Sequence, residues 1–131
     1  MGGAADDKRL DRLFEYTKFH IGIYLSSGGG LVVLVASADK SEFVKSVIGS
    51  PRALAMALIL MIIAGLAGGV VASATTRNRS FDGVWLEAQG PFRRMKGRDW
   101  ASLEHYSFWA SVTLIAYSVL RAPAALRWLG F

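Results

Sequence analysis

Cysteine is absent from this 131-residue sequence, and proline appears only three times. Without a thiol there is no disulfide, no thiolate nucleophile, no cysteine-ligated zinc and no cysteine-bound iron–sulfur cluster. Charge is scarce as well. Asp, Glu, Lys and Arg make up 19% of the chain, against about a quarter in a soluble protein. No phosphate-binding Walker loop, dinucleotide glycine fingerprint, His-Glu-x-x-His or Gly-x-Ser-x-Gly occurs, so none of the chemistries those motifs serve is indicated. Glu104, His105 and Ser107 point in different directions on one helix and do not form a hydrolytic set. The expectation is a protein that is not an enzyme and carries no cofactor. Internal repeats and low-complexity tracts are also missing.

What is present is apolar residue, 53% of the chain, and its distribution is uneven. Charges fall in blocks separated by long uncharged stretches, the layout of a membrane protein. Phe19–Ala38 is a 20-residue uncharged run, long enough as a helix to cover roughly 30 Å of hydrocarbon. Ala53–Thr76 gives 24 more, preceded by Ser50-Pro51, a helix cap followed by proline at the first helical position. Tyr106–Leu120 has 15 and must extend through Leu103 to span, which places Glu104 and His105 at the membrane edge. Asp99 is the expected cap of that helix and Trp100 its headgroup anchor. The fold class expected is therefore all-α. It is a single membrane domain over 1–131 with spans near 19–38, 53–76 and 103–120, a basic loop 77–102, and short amphipathic surface helices. A short surface helix is expected at Glu42–Ile48, the amphipathic Asp6–Thr17 is expected to run straight into the first span, and Ala124–Phe131, bearing Trp128 and Phe131, is expected to lie in the opposite interface. A competing reading makes the third segment re-entrant. Another makes the first a cleaved signal peptide ending at Ala36-Ser37-Ala38. Four acids and four bases before residue 19 argue against a signal peptide, because a short positive segment is its mark.

Lys and Arg number ten in the N-terminal segment and the 77–102 loop together, and five in the first loop and the C-terminus. The positive-inside rule then puts the N-terminus in the cytoplasm and the C-terminus outside, in a bacterial-type plasma membrane. The net charge of +5 is concentrated where Arg77, Arg79, Arg93, Arg94, Lys96 and Arg98 adjoin a span. There it reads as contact with the headgroups of an anionic leaflet. The interleaved Phe81, Trp85 and Phe92 fit single-stranded nucleic acid by type, but beside a membrane helix they describe a surface segment, and no nucleic-acid partner is expected.

Small residues recur at four-residue spacing in the first two spans: Gly22, Ser26 and Gly30, then Gly65 and Gly69, with Gly68 beside them. No hydrophobic force joins helices in lipid, so faces that let backbones approach are the usual packing surface. The expectation is that the two spans cross glycine on glycine, or that the same faces join protomers or a membrane-protein partner. By this reading Gly65→Leu disrupts the bundle. Tyr16, His20, Tyr24 and Ser27 form one helical stripe, and Glu104, Ser107, Ser111 and Ser118 another. The two stripes are expected to face each other, gathering Tyr16, His20, Glu104 and His105 into an interfacial cluster. Its plain role is a hydrogen-bonded clasp that sets helix register. Its sharper role is a haem or metal held by His20 and His105. No charged residue is expected deep in a span, which disfavours ion-coupled transport. Function is accordingly expected to be scaffolding, oligomerisation or service as an accessory subunit, with an oligomeric pore as the second reading and a haem or metal subunit as the third.

Overall fold

The computed structural model describes residues 3–38, 40–91, 94–128 and 130, the side chains of 3–7 and 128 excepted. The chain is mostly helical. Three long helices, α1 (Gly3–Ser37), α3 (Pro51–Arg77) and α5 (Gly97–Leu120), are joined and flanked by short ones. Those are α2 (Glu42–Val47), α4 (Phe81–Leu86) and α6 (Pro123–Trp128). A two-residue antiparallel ladder pairs β1 (Ala88–Gln89) with β2 (Met95–Lys96) in the loop between α4 and α5. Two helices, α1 and α3, are long and apolar enough to cross a membrane. The helix expected at Glu42–Ile48 appears as α2, a helix not expected from the sequence forms at α6, and the charged N-terminal segment continues unbroken into α1.

Local signals explain the boundaries. Ser50 caps α3 by accepting from the Ala53 amide at 3.3 Å, and Pro51 takes the first helical position. Asn78 ends that helix, its amide nitrogen donating to the Ala74 carbonyl at 2.9 Å. Asp99 is not the cap of α5. The helix starts two residues earlier, and Asp99 reaches back to accept from the Lys96 amide at 3.0 Å. The indole N–H of Trp100 donates to the Gln89 carbonyl at 3.2 Å, tying the start of α5 to the loop before it.

The long helices share one packing rule. Buried positions on α1 are Leu10, Thr17, Tyr24, Gly28 and Leu31; on α5 they include Gly97, Glu104, Ser111 and Ser118. Leu54, Ala57, Met61, Ala64, Gly68, Val71 and Thr75 form the buried seam of α3, alternating three and four residues apart. Seven-residue recurrence is the pattern of helices that supercoil at a shallow angle of about +20°. α3 is the central helix, with α1 and α5 on either side of it. Leu31, Leu54 and Ala57 close one end, backed by Ile48 and Leu114; Leu10, Ala74 and Val84 close the other, backed by Leu13 and Phe81.

The expected glycine-on-glycine crossing is not what joins α1 to α3. A β-carbon added at Gly22, Gly30, Gly65 or Gly69 would meet nothing within 4 Å, and Ser26 is exposed. Gly28 and Gly68 do make contact, and each faces a large side chain of the other helix: Leu58 lies 3.6 Å from the Gly28 position and Ile21 3.2 Å from the Gly68 position. The seam of α3 is carried mainly by alanine, which keeps helix propensity while still letting the neighbour approach closely. Consequently Gly65→Leu does not disrupt the bundle from within.

The glycines that the backbone demands lie at helix junctions. A β-carbon at Gly49 would collide with the backbone of Ser118 and Arg121, and one at Gly97 with the carbonyl of Val84. Gly49 also donates its amide to the Ser118 carbonyl at 3.1 Å, clipping the α2–α3 linker onto the end of α5. Gly90, at φ 80°, turns the loop above Val70 and Trp100. Gly49→Ala and Gly97→Ala should each destabilise by about 1–3 kcal/mol, the usual cost of forcing atoms into filled space. Gly65→Ala should leave stability unchanged or slightly raised. Thermal unfolding of the three variants in one detergent checks the contrast, and equal losses in all three would contradict this placement.

Candidate functional site

Most of the buried polar groups of the bundle lie along α5, with Thr17 on α1 and Thr75 on α3. Ser111 Oγ donates to the Ala57 carbonyl at 2.9 Å, in the middle of α3. Ser118 Oγ donates to the Ser50 carbonyl at 3.2 Å and accepts from the Ser50 amide at 3.0 Å. Ser111 and Ser118 therefore face α3 and not α1, contrary to the expectation from sequence. Carbonyls within α3 already accept helical bonds, so a serine hydroxyl uses their second lone pair and leaves the helix intact.

Glu104 belongs to the same stripe but makes a different connection. It is 2% exposed, not an edge residue. Its carboxyl carbon lies 3.3 Å from the position a β-carbon would take at Gly68, so it rests on bare helix backbone. Gly68 lies eight residues inside the uncharged run that ends at Thr76, about 12 Å along the axis. From the far side Tyr24 Oη donates to Glu104 Oε1 at 2.9 Å, linking α1 to α5 across the face of α3. Tyr24 is itself 3% exposed, and its ring packs 5.2 Å from that of Phe108.

Outside this bond the aromatic groups of α1 and α5 stack toward the surface. Tyr16 and His20 have ring centroids 4.0 Å apart, and His20 and His105 6.1 Å. Tyr16 Oη lies 3.3 Å from His105 Nε2. His20 Nδ1 donates to the Tyr16 carbonyl at 2.8 Å, which fixes that ring and leaves Nε2 unengaged by this bond. Tyr16, His20, Glu104 and His105 therefore do lie together. Among the described residues no group of three or more His, Cys, Asp or Glu is arranged to hold a metal ion. Tyr16 lies beside both imidazoles, its ring centroid 4.0 Å from that of His20 and 6.3 Å from that of His105.

Between α1, α4 and α5 this cluster borders a cleft of about 450 Å³, walled by Tyr16, Val71, Trp85, His105 and Trp109 and reaching Glu104. Sequence reasoning missed its Trp85 and Trp109 walls. The clue available was that Trp109 falls five residues beyond Glu104, on the flank of the same helix.

No protein-family model, curated protein or solved structure matches the chain.

The basic residues of the loop are placed differently from the cluster. Arg77, Arg79, Arg94, Lys96 and Arg98 are exposed, Arg98 pairing with Asp99 at 3.6 Å. Arg93 and Phe92 lie outside the described residues, as does Phe131 and the side chain of Trp128. The rings of Phe81 and Trp85 stack on each other at 5.5 Å, and Arg9 of α1 sits 5.9 Å over Phe81.

Tyr24→Phe should cost about 1–3 kcal/mol, because it leaves a buried carboxyl oxygen without its donor. Ser111→Ala should cost about 0.6 kcal/mol, the ordinary value for a hydrogen bond between helices in a membrane. Unfolding in mixed micelles at increasing SDS fraction measures both, and a smaller loss for Tyr24→Phe than for Ser111→Ala would contradict the ranking.

Proposed function

We propose that the chain is a three-span membrane protein, N-terminus in the cytoplasm, that works by helix packing as a scaffold or accessory subunit of a membrane assembly. Beyond the two apolar helices, the placement of α5 supports a third span. It lies antiparallel along the whole of α3, with Ser118 against Ser50, Ser111 against Ala57 and Glu104 against Gly68. A slab that contains α3 therefore contains α5. Large apolar side chains point outward on all three, among them Leu25 at 71% exposure, Leu66 at 67% and Trp109 at 59%. Such a belt is costly in water and ordinary in lipid.

The observation that carries the packing role is the bare face of α1. Gly22, Ser26, Gly29 and Gly30 lie along it at helical spacing, are exposed, and the glycines have no other element within 4 Å of a β-carbon position. Each internal glycine costs about 1 kcal/mol of helix propensity relative to alanine in water. Within the chain that cost is offset by contact only at Gly28. The open positions are small where a second backbone would approach, which suits a partner helix from a copy of this chain or from another membrane protein. A pore lined by α5 is disfavoured, since Ser111 and Ser118 are turned into the bundle and bonded there.

The absence of native cysteine makes single introduced cysteines unambiguous reporters. In native membranes Ser26→Cys should form a cross-linked product, and Gly22→Leu or Gly29→Leu should abolish it while leaving the thermal stability of the isolated chain unchanged. Cysteine at Lys40 should react with an impermeant maleimide from outside and cysteine at Arg79 only after lysis. A Ser26→Cys chain that cross-links to nothing would refute the packing role, and reversed labelling would refute the orientation.

A further inference from the structure

We propose that the cleft between α1, α4 and α5 binds a lipophilic organic cation, with Glu104 as its counter-charge and aromatic rings as its walls. The proposal goes beyond the packing role and does not depend on it. It starts from an imbalance. Glu104 is the one acidic side chain buried among the described residues, and none of the ion pairs there involves it. Those pairs join Glu15 to Lys18, Glu42 to Lys45 and Arg98 to Asp99, all with exposed partners. A carboxyl withdrawn from water and bonded to one neutral phenol has no counter-charge beside it, so its ionised form is expensive there until a cation arrives. A titratable group kept in such a place marks a site by default.

The cleft that reaches it selects the chemistry of the missing partner. Tyr16, Trp85, Tyr106 and Trp109 contribute aromatic surface, and Leu13 and Val71 contribute aliphatic surface. Ring faces carry negative potential and attract a cation within about 6 Å, most strongly when the cation has lost its water. One carboxylate and several rings suit an ammonium or phosphonium with organic substituents, which needs no ordered ligand sphere. A metal ion needs several such ligands, and no group of three His, Cys, Asp or Glu stands ready among the described residues. An anion would face Glu104 without relief, because Arg98 at the rim is half exposed and turned to Asp99. The volume, about 450 Å³, is in the range of small-molecule sites. Trp109, 59% exposed, leaves the cleft open toward the apolar flank of the bundle, the side from which a lipophilic molecule would enter.

The test is equilibrium dialysis of the full chain in lipid nanodiscs against labelled tetraphenylphosphonium, with tetraphenylborate as a control of equal shape and opposite charge. The phosphonium should bind saturably at one site per chain, and the borate should not. Glu104→Gln, whose amide oxygen still accepts from Tyr24, should weaken binding at least tenfold. Trp109→Leu, on the exposed wall and outside the helix seam, should weaken it about threefold or more. Absence of saturable binding, binding of the borate with similar affinity, or wild-type affinity in Trp109→Leu each overturns the proposal. So does a folded Glu104→Gln chain that binds as the parent does. If Glu104→Gln does not fold, the charge control and Trp109→Leu decide.

Discussion

The hydrogen bond from Tyr24 to Glu104 joins two helices that otherwise meet chiefly through long side chains. α3 stands between α1 and α5 and packs closely on each, so the outer pair needs a bridge to fix their relative rotation. A phenol from one side and a carboxylate from the other span that distance only because Gly68 adds no atoms between them. The seven-residue recurrence then spreads the same rotation along the helices: with Glu104 inward, Gly97, Ser111 and Ser118 are inward as well. Were α5 turned to expose Glu104, the two serines would lose their α3 partners together. One buried carboxyl thus sets which face of a helix the rest of the bundle sees.

Glycine takes three different roles in this chain. At Gly49 and Gly97 it permits backbone to lie on backbone, clamping the two ends of α5 against the linkers beside them. At Gly28 and Gly68 it admits a single large side chain from the opposite helix. At Gly22, Gly29, Gly30, Gly65 and Gly69 nothing within the chain takes up the space it leaves. Proteins rarely keep propensity-lowering residues without a contact that compensates, and this asymmetry is why the bare face of α1 supports a role in assembly. The same reasoning separates that face from the opposite flank, where aromatic rings and a buried acid surround an open cleft.

The two features draw on different physics and leave each other free. Packing at the α1 face is dispersion between close backbones and is indifferent to charge. Recognition in the cleft is electrostatic, strengthened by apolar walls that keep water from screening it. A scaffold that also holds a small cation would combine both, with α1 as the element common to the two sites.

All-α architecture, the cap at Ser50-Pro51, the short helix at 42–47, and the companionship of Tyr16, His20, Glu104 and His105 were legible from sequence, because each depends on local signals or on residues at matching depth. Facing was not legible. The spacing of Glu104, Ser107, Ser111 and Ser118 identifies a stripe, but whether it turns to α1 or α3 depends on which helix takes the centre, a property of all three together. The glycines misled for a similar reason. A helix backbone without a side chain favours close approach wherever a neighbour exists, and the tertiary structure alone decides that Gly68 has one while Gly65 has none. Sequence determined that a polar group would be carried by the third long helix. Only the fold determined that it would be buried, because burial followed from Gly68 and Tyr24 arriving on either side of it.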